Sequence, residues 1–157
     1  MSVAYTTMAS PLGELLLTAA DGHLTGLYLP AQVQGPPARA VRDDGAFATM
    51  RCQLEEYFAG ERREFELPVA PPGTPFQQRV WAELPRIGYG ETISYAELAS
   101  RVGRPTAIRA AGAANGANPV SIVIPCHRVI GSNGSLTGYG GGLEAKRTLL
   151  ELERAPA

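Results

Sequence analysis

Ser94-Tyr95-Ala96-Glu97, Gly103-Arg104-Pro105 and Thr106-Ala107-Ile108-Arg109-Ala110-Ala111-Gly112-Ala113-Ala114-Asn115-Gly116 form the stretch that decides the fold. Ser94 with Glu97 three residues on has capping-box spacing and opens a short helix to about Val102. Gly103-Arg104-Pro105 makes a tight turn, and Thr106 stands where it can cap a second helix reaching Asn115-Gly116. Two short helices joined by a Gly-containing turn predict a helix-turn-helix. The second helix has almost no bulk, with Ile108 and Arg109 as its only large side chains before Asn115. Small residues let its backbone come very close to whatever it faces. That is either a neighbouring helix or a narrow groove of nucleic acid into which one long cation reaches.

Outward from this stretch the chain reads as two parts. Thr74 caps a helix with Pro75 at its first position and Phe76, Val80, Trp81 and Leu84 on one face. Before it, residues 69–74 contain Pro71, Pro72 and Gly73, which sets the expected domains at 1–73 and 74–157. The first part is strand-rich: Ala4 to Thr7, Glu14 to Ala19 and His23 to Leu29 are short runs separated by turn signals. Of these signals Asp21-Gly22 is a strong hairpin marker. Residues 30–45 read as a loop, and a helix spans about Ala46 to Ala59, with Phe47, Met50, Leu54, Tyr57 and Phe58 at helical spacing. After the β-branched run Ile122-Val123-Ile124 come Gly131, Asn133-Gly134 and Gly138, then a last helix from about Gly142 to Arg154. The expected fold class is α+β, with a small strand-rich N-terminal domain and a mostly helical C-terminal domain.

The 157 residues are about one domain's worth by length, and 45 % apolar content allows a real core. Fourteen basic and fifteen acidic residues give a net charge of −1, so whole-chain charge selects no partner. Its distribution is uneven: residues 1–73 carry −4, residues 74–157 carry +3, and from Leu98 to Leu143 there are four arginines and no acid. Such a block can lie on a polyanion or be an ordinary solvated face. Two cysteines (Cys52, Cys126) and two histidines (His23, His127) are too few for a disulfide framework or a Cys/His zinc module, so no metal is expected. The cysteine usage, the lack of a secretory signal and the lack of any 18-residue apolar run predict a cytoplasmic protein with no membrane partner.

The chemistry concentrates in Ile124-Pro125-Cys126-His127-Arg128-Val129. Proline fixes φ and ends a strand, so Cys126 is expected at a strand-to-turn junction, rigidly aimed. A thiolate is the reactive form of cysteine, and His127 and Arg128 are placed to supply a field that lowers its pKa. A buried, inert cysteine before a satisfied histidine is the bland alternative for such a dipeptide.

This segment, with Asn118-Pro119-Val120 before it, resembles the active-site signature of the O6-alkylguanine-DNA alkyltransferases, the methylated-DNA–protein-cysteine methyltransferases. The resemblance extends through Phe76-Gln77-Gln78-Arg79-Val80-Trp81, Ile93-Ser94-Tyr95, Arg109-Ala110-Ala111-Gly112, Gly138-Tyr139-Gly140-Gly141-Gly142-Leu143 and Lys146. It covers nearly all of residues 74–157 and is weak over 1–73. It implies a winged helix-turn-helix and a repair protein. The alkyl group of O6-alkylguanine, chiefly O6-methylguanine, moves irreversibly to Cys126, once per molecule and without a cofactor. By the family pattern His127 draws the thiol proton away through a water, and Glu153 orients and charges His127. Independently, an acid at a helix C-terminus is unfavourable by ~0.3–1 kcal/mol, which suggests another use for Glu153. Tyr139 is the expected hydroxyl near guanine O6 or N3, tuned by Lys146, and Asn118 ties down the active-site turn.

The partner so implied is double-stranded DNA, bound through the minor groove with the target base swung out. Arg109 fills the gap, Tyr95 presses on the target phosphate, Ala110 and Gly112 let the helix enter the groove, and Ser132 contacts phosphate. The base pocket is expected from Val129, Tyr139, Gly140 and the surrounding glycines, whose backbone can approach a flat ring. O4-alkylthymine as a second substrate and cooperative alignment of monomers along DNA stay open. Some relatives carry a hydroxyl residue where Gly140 stands, so only its main-chain N–H could serve O6. A damage-binding relative without chemistry is the alternative, but such proteins lack the acceptor cysteine, often having tryptophan there. A winged-helix regulator or a multiple-turnover thiol hydrolase are further alternatives; a regulator gives no reason for the Cys-His-Glu set.

Overall fold

The structure is a computed structural model that describes residues 3–32, 35–136, 139 and 141–154. Three strands, β1 (Ala4–Met8), β2 (Leu15–Ala20) and β3 (His23–Tyr28), form an antiparallel meander, and β4 (Val41–Arg42) adds in parallel to β1, giving the order β3-β2-β1-β4. Asp21 (φ 52°) and Gly22 (φ 78°) are both left-handed, the geometry of the two-residue hairpin their sequence announces. Residues 30–45, expected as a loop, contain the two-residue strand β4. Val41 N donates to Val3 O and Asp43 N to Tyr5 O, so pairing with β1 overrides local composition. A 3₁₀ turn (Asp44–Phe47) leads into α1 (Ala48–Phe58), which buries Met50, Leu54 and Tyr57.

Residues 68–70 lie along the free edge of β3: Leu24 N donates to Pro68 O and Ala70 N to Leu24 O. Then α2 (Pro75–Glu83) begins with a full capping box between Thr74 and Gln77 and Pro75 in its first turn. A short strand β5 (Ile93–Ser94) leads into α3 (Tyr95–Arg101), capped by the Ser94 hydroxyl on Glu97 N at 3.1 Å. Next is α4 (Ile108–Gly116), whose cap is Ala107 rather than Thr106 and carries no side-chain bond. The turn uses main chain there instead, Ala107 N donating to Arg104 O. Trp81 Nε1 donates to Ala114 O at 2.8 Å and locks α2 to α4.

Ile122-Val123-Ile124 is not a strand. Ile122 is left-handed (φ 72°), and the segment turns so that Ile124 N returns to Val120 O. Its outward neighbour is again the edge of β3, where Leu27 N donates to Pro119 O and Ser121 N to Leu27 O. Cys126–Arg128 form a 3₁₀ turn followed by β6 (Val129–Ile130), parallel to β5. The chain ends its described part in α5 (Leu143–Arg154). One hydrophobic core runs through both halves, from Leu15, Leu17 and Leu27 to Trp81, Leu98, Val129 and Leu149. The fold class is α+β as expected, strands first and helices after. Among the described residues no helix is long and apolar enough to cross a membrane.

Candidate active site

The site is a junction of three segments: the 3₁₀ turn with Cys126, the end of α4 with its exit to Asn118, and the inner face of α5. Asn118 Nδ2 donates to Ile124 O (2.8 Å) and Val120 O (3.3 Å), while its Oδ1 accepts from Val120 N (3.0 Å). One buried amide thus closes the unusual turn around Ile122. Asn115, with Ala111 and Ala114 on the inward face of α4, donates to Cys126 O at 3.2 Å. Sequence reasoning passed over Asn115; its signal was a poor helix former at an i+4 position from Ala111, on the side that faces the core.

On α5, Lys146, Leu149, Leu150 and Glu153 face inward. Glu153 Oε2 accepts from Tyr57 Oη (2.6 Å) and Arg128 Nη2 (3.0 Å) and pairs with His127 Nε2 (2.7 Å), while Oε1 accepts from Arg128 Nε (2.8 Å). Arg128 Nη1 donates to Ile87 O at 2.7 Å. Burial alone would raise the Glu153 pKa, but the hydrogen bonds and charges of His127 and Arg128 bring it down to about 2. Burial holds His127 below its ordinary value, and Glu153 opposes this without overcoming it. His127 is therefore neutral near pH 7, not charged by Glu153. Facing a carboxylate, its Nε2 carries the proton and donates, which leaves Nδ1 an acceptor. That Nδ1 is buried and has no hydrogen-bond partner among the described residues. The imidazole is thus a base with its lone pair unspent.

Cys126 is buried (4 % exposed), and burial pushes its thiol up to about 11, partly offset by a hydrogen bond from Asn118 and the charge of Lys146. The expectation of a thiolate made by His127 and Arg128 is corrected here: His127 Nε2 is turned to Glu153, Arg128 is shared between Glu153 and Ile87 O, and the sulfur rests as a thiol. The favourable field comes instead from Lys146, whose ammonium is fully buried and held at about 8 by desolvation, against the charge of Cys126. Lys146 Nζ lies 3.4 Å from Tyr95 Oη and over the Tyr95 ring. Tyr139 is buried, and its pKa is raised well above the ordinary value by burial and the Cys126 charge, with the Ser121 hydroxyl opposing. The phenol is therefore a proton holder at any physiological pH. Val129 is fully buried in β6.

Of the residues expected at a nucleic acid, Tyr95 is half-buried and touches Lys146 of this cluster, and the others lie toward the surface. Arg109 and Ala110 are exposed at the start of α4, Gly112 is half-buried with a Cβ position 3.4 Å from the Tyr95 ring, and Ser132 is exposed in the turn after β6. Gly140 lies outside the described residues, as does Gly138. Among the described residues no group of His, Cys, Asp or Glu could hold a metal ion.

Comparisons with known proteins agree with this layout. Residues 75–155 match the DNA binding domain, and residues 3–71 the ribonuclease-like domain, of 6-O-methylguanine DNA methyltransferase. The chain is 51 % identical over 158 residues to the methylated-DNA–protein-cysteine methyltransferase of Mycobacterium tuberculosis H37Rv, covering 99 % of this chain and 96 % of the relative. It is 47 % identical to the constitutive enzyme of the same name in Bacillus subtilis 168, covering 96 % and 94 %. A crystal structure of M. tuberculosis OGT in complex with DNA superposes with a TM-score of 0.92 at 50 % identity, covering 96 % of this chain and 92 % of that one. Fold, site and relatives together define a DNA repair methyltransferase acting on methylated DNA. More narrowly, the chain belongs to the 6-O-methylguanine DNA methyltransferase family, and its activity is that of a methylated-DNA–protein-cysteine methyltransferase.

Proposed function

We propose that this protein removes the alkyl group from O6-alkylguanine, chiefly O6-methylguanine, in duplex DNA and keeps it on Cys126. The observation that carries this reading is the 2.7 Å contact of His127 Nε2 with Glu153, which leaves Nδ1 free to accept a proton on the residue next to the thiol. In the reaction the sulfur attacks the alkyl carbon. A C–S bond forms, the C–O6 bond breaks, and the thiol proton passes through a water to His127 Nδ1. The guanine takes up a proton from Tyr139, aided by Lys146. The product thioether has no neighbouring group able to cleave it, so each molecule acts once and no cofactor takes part. A thiol that starts protonated is not an obstacle, because the proton leaves as the sulfur acquires its new bond.

Reaching the base requires extrusion from the helix, at a cost of a few kcal/mol. Arg109, exposed at the start of α4, would fill the gap in the stack, and Tyr95 would hold the target phosphate. The small exposed residues of α4 suit a groove ~6 Å wide, and Ser132, exposed after β6, would meet a flanking phosphate. Val129 and the Tyr139 segment would wall the base. The protein acts as a monomer, and residues 1–73 and 74–157 are the natural units of support and chemistry.

Intact-protein and peptide mass spectrometry after incubation with a duplex holding one O6-methylguanine tests this. The expected result is one methyl group, on Cys126, with a stoichiometric endpoint, and DNA binding without uptake for Cys126→Ser. Arg109→Ala should lose reaction with duplex far more than with the free base. Methyl on another residue, or more than one turnover, refutes the mechanism.

A further inference from the structure

We infer that Tyr57, on α1 of the N-terminal half, is a positioning residue of the methyl-transfer reaction: its hydroxyl sets the Glu153 carboxylate and thereby the basicity of His127. The inference rests on the reading that His127 is the proton acceptor.

Tyr57 and Glu153 are 96 positions apart, and both side chains are buried. The hydroxyl donates at 2.6 Å to Oε2, the same oxygen that faces His127 Nε2 at 2.7 Å. A carboxylate oxygen has two in-plane lone-pair directions, and here three donors crowd onto Oε2 while Oε1 is left to Arg128 Nε. Satisfying a buried phenol would need no more than any backbone carbonyl. Placement on the one oxygen that reads His127 makes the phenol a competitor for the charge that His127 feels. The ring cannot swing away, because it is held edge-on by Phe58 and Tyr89 and tilted against Phe65.

The sign of the effect follows from the charges around the pair. His127 is faced by Glu153 and Lys146 from α5 and by Arg128 from its own turn. Glu153 is faced in addition by Tyr57 from α1 and Tyr89 from the segment before β5. Arg128 and Lys146 lower the His127 pKa, and Glu153 is the charge that raises it. The Tyr57 hydrogen bond draws electron density from Oε2 and weakens that raising influence. Without it, His127 holds its proton more firmly and ceases to be a base at a higher pH.

The test is Tyr57→Phe, which keeps the ring and removes one oxygen. Single-turnover methyl transfer from an O6-methylguanine duplex is measured across pH, and the imidazole is followed by NMR, where His23 is the only other histidine. The expected result is an acid limb moved to higher pH. Transfer should be roughly fivefold slower near pH 6 and close to wild type near pH 9. DNA binding should be unchanged. In a Glu153→Gln background, Tyr57→Phe should leave the limb where it is. An unmoved limb and an unmoved His127 midpoint in Tyr57→Phe overturn the inference, as does an equal rate loss at every pH. Wild-type transfer by His127→Gln overturns instead the reading on which it rests.

Discussion

At the scale of the residue, the corner around Cys126 is organised by side chains that hold main chain. Asn118 makes three bonds to the turn before Cys126 and a fourth interaction with the thiol itself. Asn118→Ala leaves the Val120 N–H buried and unpaired, while Ile124 O keeps its bond from Cys126 N and Val120 O its bond from Ile124 N. The expected loss is about 2 kcal/mol of stability by urea denaturation, within the ~1–3 kcal/mol of one orphaned buried donor. Methyl transfer should slow as well, since the thiol loses a bond that favours its ionised form. A variant that keeps wild-type stability would show that the turn is held by the β3 edge alone. Cys126, His127, Glu153 and Asn118 were legible as a set because the residues around them resemble a family signature. Tyr57 was legible only as one more apolar position of α1, since nothing local marks where its hydroxyl goes.

At the scale of the element, α4 shows how helix chemistry and surface chemistry pull apart. Gly112 has an ordinary helical φ, and a methyl there would meet the Tyr95 ring at 3.4 Å, an ordinary contact. Alanine is the better helix former by ~1 kcal/mol. Gly112→Ala should therefore raise the melting temperature by a few degrees. If α4 lies against DNA backbone, the same change should weaken duplex binding, measured by fluorescence anisotropy. Tighter or unchanged binding would place the contact elsewhere on the helix. The helices α1 to α5 were readable within two or three residues from apolar spacing and caps. The exceptions are instructive: Thr106 was a good capping residue one position too early, and Ile122-Val123-Ile124 was a β-branched run with no strand to pair with. The edge of β3 takes up Pro119 and Ser121 on either side of Val120, and that pairing ends where Ile122 turns left-handed.

At the scale of the whole molecule, two buried titrating groups link stability to pH in the same direction. His127 sits below its ordinary value of 6.5, so below that pH the unfolded chain binds a proton that the folded one resists. Glu153 at about 2 contributes stability that is full above its ordinary 4.5 and is lost as pH falls toward 2. Stability should therefore decline from about pH 6.5 and more steeply below about pH 4.5, as followed by urea midpoints. On the alkaline side Lys146, at about 8, gains as pH rises while Cys126, at about 11, loses, so the two oppose one another between about 9 and 10.5. An acid-insensitive midpoint between pH 7 and 4 would mean that the His127–Glu153–Arg128 cluster is not buried in solution.

The sequence alone determined the first three strands and the five helices in order, the hairpin at Asp21-Gly22, the caps at Thr74 and Ser94, and the identity of the thiol, imidazole and carboxylate. These are local matters of backbone freedom, apolar period and residue chemistry, written in neighbouring letters. Only tertiary structure decided which protonation states those groups hold and what supports them. The resting thiol, the neutral imidazole and the phenol on Glu153 all follow from burial and from contacts between residues 25 to 96 positions apart. Desolvation and long-range hydrogen bonding depend on how the halves pack, and packing has no period that a reader of the chain could count.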